Sequence, residues 1–168
     1  MDEKPYISII IPAYNEEPNF KKGLIDEVPT YLEKQDYSYE VLIVDDGSSD
    51  NTASLAEEFA KKHKNFRVIK NPHQGKAQTV KKGVEEANGE LILFTDFDQA
   101  TPLSEVSNLL KHIPEYDIVI GSRQLAGAKR EKEPIHRHIM GLGFNIVVQI
   151  LTVRGIKDTQ AGFKCFKG

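Results

Sequence analysis

The stretch "ELILFTDFD", Glu90 to Asp98, decides how this chain is read. An apolar run, Leu91 to Phe94, leads straight into two acids one residue apart, Asp96 and Asp98. A short continuous apolar run bounded by polar residues predicts a strand buried on both faces. In an extended segment, residues i and i+2 point the same way, so both carboxylates are expected on one side. Like charges a few Å apart repel unless one takes a proton or a cation bridges them. A hard divalent cation, Mg²⁺ or Mn²⁺, meets that demand. It prefers oxygen ligands and often takes one or two carboxylates plus phosphate oxygens. A bare pair of this kind also fits a solvated loop with acids near a helix start. The other strand ends therefore have to decide.

Working outward, short β-rich runs alternate with helical patterns. "YISIII" (Tyr6 to Ile11) predicts a first strand, followed by a helix from about Pro18 to Lys34 with Phe20, Leu24, Val28 and Tyr31 or Leu32 at helical spacing. "EVLIVDD" (Glu40 to Asp46) is a second strand. Ser49 or Asp50 can then cap a helix carrying Leu55, Ala56, Phe59 and Ala60. "FRVIK" (Phe66 to Lys70) precedes a helix from about Lys76 to Ala87, ended by Asn88-Gly89. After the fourth strand come a short helix in "SEVSNLLKHI" and a fifth strand in "YDIVIGS", Tyr116 to Ser122. The pattern predicts a three-layer, Rossmann-like α/β domain over residues 1–168 with a mainly parallel central sheet. Ligands of such sheets bind beyond the carboxyl ends of the strands. The polar clusters "PAYNEE", "DDGSSDN", "NPHQGK", "DFDQAT" and "GSR" all fall there.

Composition narrows the partners. The 22 basic and 25 acidic residues give a net charge of -3, which argues against nucleic-acid binding. The single cysteine, Cys165, rules out an internal disulfide and a Cys-based zinc site, and reads as a small buried apolar residue. The N-terminus has no signal-peptide pattern, and no run of about 18 apolar residues is present. Ile139 to Val153 comes nearest, and reads as a core helix or one lying on a bilayer or lipid acceptor. Ala126 to Pro134 reads as a loop, and His136 and His138 as surface residues.

Each strand end offers candidate contacts. Pro12 costs little at the end of a strand, Tyr14 offers a flat face for a base, and Glu16 an acceptor. Side chains of adjacent Asp45 and Asp46 diverge. One can accept hydrogen bonds from a base or ribose while the other holds the loop or caps a helix. Lys76 follows Gly75, but the spacing does not support a P-loop, and a surface lysine is the bland alternative. Arg123, after a strand and two small residues, can grip a phosphate in a bidentate way.

Together these motifs resemble the nucleotide-sugar-dependent family 2 glycosyltransferases with the GT-A fold. "SIIIPAYNEE", "VLIVDDGSSDNT", "GKAQTVKKG", "GELILFTDFDQAT" and "VIGSR" carry the match. The string Asp158-Thr159-Gln160, then Gly162-Phe163-Lys164, looks like the polyprenyl (dolichyl)-phosphate β-glucosyltransferase branch. The dolichyl-phosphate mannose synthase branch is the near relative. The resemblance implies that Pro12, Tyr14 and Glu16, with Asp46 and Asp45, hold the nucleotide. It implies that Asp96 and Asp98 hold Mg²⁺ or Mn²⁺ with the diphosphate, that Arg123 contacts a phosphate with Arg130 a weaker candidate, and that Asp158 and Gln160 lie near sugar or acceptor. Phe97, between the acids where a small residue is usual, is expected to narrow the sugar pocket. Family members generally continue past "FKG", so a truncated chain is expected. The implied reaction is metal-dependent, inverting transfer of a hexose, from UDP-glucose or GDP-mannose, to a lipid-linked phosphate at the cytoplasmic face of a membrane. Three other readings stand beside it: a transferase acting on a hydroxyl, a nucleotidyltransferase, and a non-catalytic nucleotide-sugar-binding module. The second should carry a glycine-rich loop where "PAYNEE" stands.

Overall fold

The computed structural model describes residues 4–122, 158 and 161–168. Four strands form the parallel part of the sheet: β1 (Ile7–Ala13), β2 (Tyr39–Asp45), β3 (Phe66–Lys70) and β4 (Leu91–Phe94). β1 lies between β2 and β4, with Ala13 opposite Asp45 and Ile10 opposite Phe94. β3 extends the sheet on the far side of β2, with Lys70 opposite Asp45. This register brings the carboxyl ends of the parallel strands, and the loops that follow them, to one edge.

The apolar runs are continuous because both faces of the sheet are covered. Ile9, Ile11, Val41, Ile43 and Leu93 belong to the larger core cluster, with Val28, Leu32 and Phe59. Ile10, Leu42, Val44 and Ile92 form a smaller cluster on the other face, joined by Val84. Helices α3 (Thr52–Lys62) and α4 (Lys76–Glu86) stand where periodicity put them. Asn51 takes the N-cap position of α3, not Ser49 or Asp50. Asp50 still supplies the capping acceptor: Thr52 N donates to its Oδ1 at 2.9 Å.

Two expectations change. The helix expected over 18–34 is broken into α1 (Glu17–Lys21), a 3-10 turn at Leu24–Asp26 and α2 (Glu27–Leu32). Gly23, at φ 70, takes the left-handed conformation that ends a helix. The sheet also gains a strand that the pattern did not mark. β6 (Lys164–Lys167) runs antiparallel between β4 and β5 (Ile118–Ile120), giving the order β3-β2-β1-β4-β6-β5. β5, expected to span 116–122, is reduced to three residues at the sheet's edge. Between β4 and β5 lie a 3-10 turn (Leu103–Glu105) and α5 (Val106–Leu110), where a short helix was expected.

Cys165 sits in the middle of β6 opposite Leu93 and Val119, fully buried as expected. Burial pushes its thiol up to about 11. A neutral, covered thiol is unreactive. Cys165 should therefore resist a disulfide-exchange reagent at pH 8, and its labelling should accelerate with urea in step with unfolding seen by far-UV circular dichroism. Fast labelling of folded protein would mean that β6 is not seated in the sheet.

Candidate active site

Beyond the end of β4 the chain turns instead of running on extended. Gln99, at φ 50, closes the turn: its backbone N and its Nε2 both donate to the Asp96 carbonyl, at 3.2 and 2.8 Å. Asp96 and Asp98 still border one cavity of about 270 Å³, which Pro12, Tyr14, Glu16, Asp46 and Lys76 also line. The Lys76 ammonium lies 2.6 Å from Asp96 Oδ1 and 5.5 Å from the centroid of the Phe94 ring. Among the described residues Asp98 Oδ1 accepts only a local bond, from Ala100 N at 3.0 Å. Phe97 borders the cavity, but its side chain has gone inward. The residue is 2% exposed, with its ring 4.7 Å from that of Phe20, so it anchors the acidic turn in the core.

The C-terminal segment backs the same turn. A Cβ at Gly162 would collide with the Asp96 carboxylate, so any larger residue there must push that side chain aside. Phe163, buried at the adjoining position, accepts a backbone bond from Gly121 N at 2.9 Å. Asp158 accepts a bond from Ser122 Oγ at 2.9 Å, joining this segment to the end of β5. Arg123, Arg130 and Gln160 lie outside the described residues, as does the stretch 139–153.

Asp45 and Asp46 divide their work. The Asp46 carboxylate, 2% exposed, accepts from Gln74 N (3.1 Å), Gly75 N (2.9 Å) and Asn71 Nδ2 (3.1 Å). Burial alone would raise its pKa. The donors from Gln74, Thr79, Gly75 and Asn71 outweigh burial and hold the carboxyl below its ordinary range. Asp46 thus supplies the anion that the first turn of α4 favours, and fastens the 71–75 loop to the end of β2. Among the described residues the Asp45 carboxylate accepts a single long bond, from Ser48 N to Oδ2 at 3.3 Å, and its buried Oδ1 has no partner. It keeps an acceptor in reserve.

Across the cavity, Glu16 N donates to Thr52 Oγ1 at 2.7 Å and Asn19 Nδ2 donates to Glu16 Oε2 at 2.5 Å. Desolvation raises the Glu16 pKa above 4.5, and Asp98 and Asp50 push it the same way. Tyr14 stacks on His73, ring centroids 4.2 Å apart and 19° from parallel. The sequence does not single out His73, and it marks Gly162 only as part of the string Gly162-Phe163-Lys164, with no role. His73 sits in "NPHQGK", a cluster legible as polar, but its partners Tyr14 and Asp46 come from distant strands.

The geometry can now be set beside known proteins. The model of the glycosyl transferase family 2 matches residues 8–166. The chain belongs to that family. A Trichomonas vaginalis protein named dolichyl-phosphate beta-glucosyltransferase ALG5D is 39% identical to this family 2 chain, over 98% of it and 54% of the relative. The human dolichyl-phosphate beta-glucosyltransferase is 36% identical over 95% of the chain and 54% of the relative. The chain thus spans about half the length of the curated relatives it matches. A Pyrobaculum calidifontis mannosyltransferase, solved with GDP-Man and Mn²⁺, superposes with a TM-score of 0.61 at 22% identity, over 99% of this chain and 45% of its own. The fold is the GT-A fold expected from the sequence.

Two outcomes follow for the ligand-free protein. Glu16 binds its proton more tightly folded than unfolded, so its ionisation costs stability above its raised pKa and costs nothing below 4.5. Glu16→Gln should melt higher than the wild type at pH 7 in differential scanning calorimetry, with the gain vanishing as pH falls below 4.5. Gly162→Ala must displace Asp96 or its own backbone. It should lower the melting temperature and break the Lys76–Asp96 contact, seen as changed Lys76 side-chain chemical shifts by NMR.

Proposed function

We propose that the chain is the donor-binding half of a metal-dependent, inverting transferase that moves glucose from UDP-glucose to dolichyl phosphate. Its 168 residues would form one GT-A domain. The observation that carries the reading is the acidic turn after β4. Two carboxylates open on one cavity, and one of them is already paired with a cation, Lys76. The names of the similar full-length proteins support the choice of sugar and acceptor.

Asp96 and Asp98 fit a Mg²⁺ or Mn²⁺ ion carrying a diphosphate. Both are hard oxygen donors, and Asp98 retains oxygen lone pairs beyond its one local bond. Among the described residues no cluster of three or more potential protein ligands exists, so phosphate oxygens and water would complete the shell. When bound, the ion supplies Lewis acidity toward the leaving diphosphate. Lys76 adds a positive charge at the same place, and Asp45 Oδ1 offers the base or ribose an acceptor. Pro12, Tyr14 and Glu16 would wall the nucleotide, with Asp46 holding the loop against it. Arg123 and, more weakly, Arg130 would meet a phosphate, and Asp158 and Gln160 would lie toward sugar or acceptor.

The chain needs no general base for this reaction. A phosphate monoester has its second pKa near about 6, so the acceptor is already a dianion at neutral pH. What remains is to place that anion in line with the sugar and to neutralise the departing diphosphate. A lipid-borne acceptor puts the reaction at a membrane surface, which we assign to the cytoplasmic face. No helix among the described residues is long and apolar enough to cross a bilayer.

Calorimetry of UDP binding with and without Mn²⁺ tests the reading. The ion should tighten UDP binding by the wild type, and Asp98→Ala should erase at least about 10-fold of that gain. Transfer assayed with a panel of nucleotide sugars and dolichyl phosphate should favour UDP-glucose. Preference for GDP-mannose would move the chain to the sister branch, and an Asp98→Ala variant with full Mn²⁺ response would overturn the metal's place.

A further inference from the structure

The geometry points to His73 as a nucleobase-stacking residue: with Tyr14 it forms an aromatic platform that takes the planar base of the donor. This rests on the nucleotide-sugar reading and adds to it a residue that nothing else assigns. Three observations carry it.

The first is the stack itself. Tyr14 is 44% exposed and the His73 side chain 55%, yet the rings lie nearly parallel with centroids 4.2 Å apart. Both residues border the cavity that holds the acidic turn. Half-exposed aromatic rings at a cavity mouth offer a π-face that every base can use.

The second is that the imidazole is fixed. His73 Nδ1 lies 2.9 Å from Asp46 Oδ2 and 3.1 Å from the Asp46 carbonyl. Both neighbours are acceptors, so Nδ1 carries the proton and donates. Tautomer and ring direction are thereby set before any ligand arrives.

The third is that the backbone beneath the ring is fixed as well. Asn71 N donates to the Asp45 carbonyl at 2.8 Å, and Asp46 holds Gln74 N and Gly75 N. Gly47, at φ 69, lets this loop pass: a Cβ there would stand 2.8 Å from His73 N. A ring held at both its side chain and its backbone loses little freedom when a base lands on it, and such preorganisation raises affinity.

The test compares ligands with and without a base. Calorimetry on the whole chain with Mn²⁺ uses UDP and inorganic pyrophosphate as probes. For His73→Ala, UDP binding should weaken about tenfold while pyrophosphate binding stays as in the wild type. His73→Phe, which restores a flat ring without the Asp46 bond, should recover most of the UDP affinity. Unchanged UDP binding in His73→Ala overturns the proposal. So does equal loss of UDP and pyrophosphate, because that marks a collapsed loop and not a lost stack. So does a His73→Phe variant no better than His73→Ala. Failure of the underlying reading looks different: wild-type protein would then bind neither probe in response to Mn²⁺.

Discussion

Asp96 leaves β4 directly against the ammonium of Lys76, 2.6 Å away, and that ion pair ties the first turn of α4 to the end of the central strand. Its worth to stability is small: both side chains keep contact with water, and such pairs contribute about 0–1 kcal/mol. Its worth to the site is larger. It partly compensates a local excess of negative charge from Asp96, Asp98, Glu16 and Asp50; Glu16, whose pKa burial raises first, is pushed further the same way by Asp98 and Asp50.

The rest of the edge keeps this charge in place. The ring of Phe97 sits in the core between the two acids, Gln99 closes the turn, and Gly162 leaves no room behind Asp96 for it to retreat. On the other side of the cavity Asp46 spends its acceptors on the loop before α4, and this loop in turn presents His73 to Tyr14. One buried carboxylate organises the Tyr14–His73 end of the cavity, and two less buried ones stand at the Lys76 end.

How much of this could be read from the sequence depends on how local each signal is. β1, β2 and β4 announce themselves because burial on both faces leaves unbroken Ile, Val and Leu runs. α3 and α4 do so by periodicity. The break at Gly23 was hidden inside a plausible helical pattern, since a glycine's left-handed φ shows only in the backbone. β6 is four residues whose apolar members, Cys165 and Phe166, make no pattern of their own, and its place between β4 and β5 depends on pairing across the chain. The acids after β4 were legible as a pair, but their geometry comes from a turn and not from an extended strand. Phe97 was expected to narrow the sugar pocket, and the core claimed its ring. A division of work between Asp45 and Asp46 was readable, but which of them holds the loop was not, nor was the Tyr14–His73 stack, because each is decided by atoms that other parts of the chain supply.

The insertion of β6 has a temporal consequence. During synthesis, β4 emerges well before its neighbour on one side exists, so the growing chain carries a bare strand edge next to the turn of Asp96 and Asp98. Only when residues 161–168 leave the ribosome can Gly162 close behind Asp96 and the edge be sealed. The acidic corner is therefore the last part of the described sheet to be assembled, and a nascent chain halted earlier would carry the Asp46-braced loop before Asp96 has its backing.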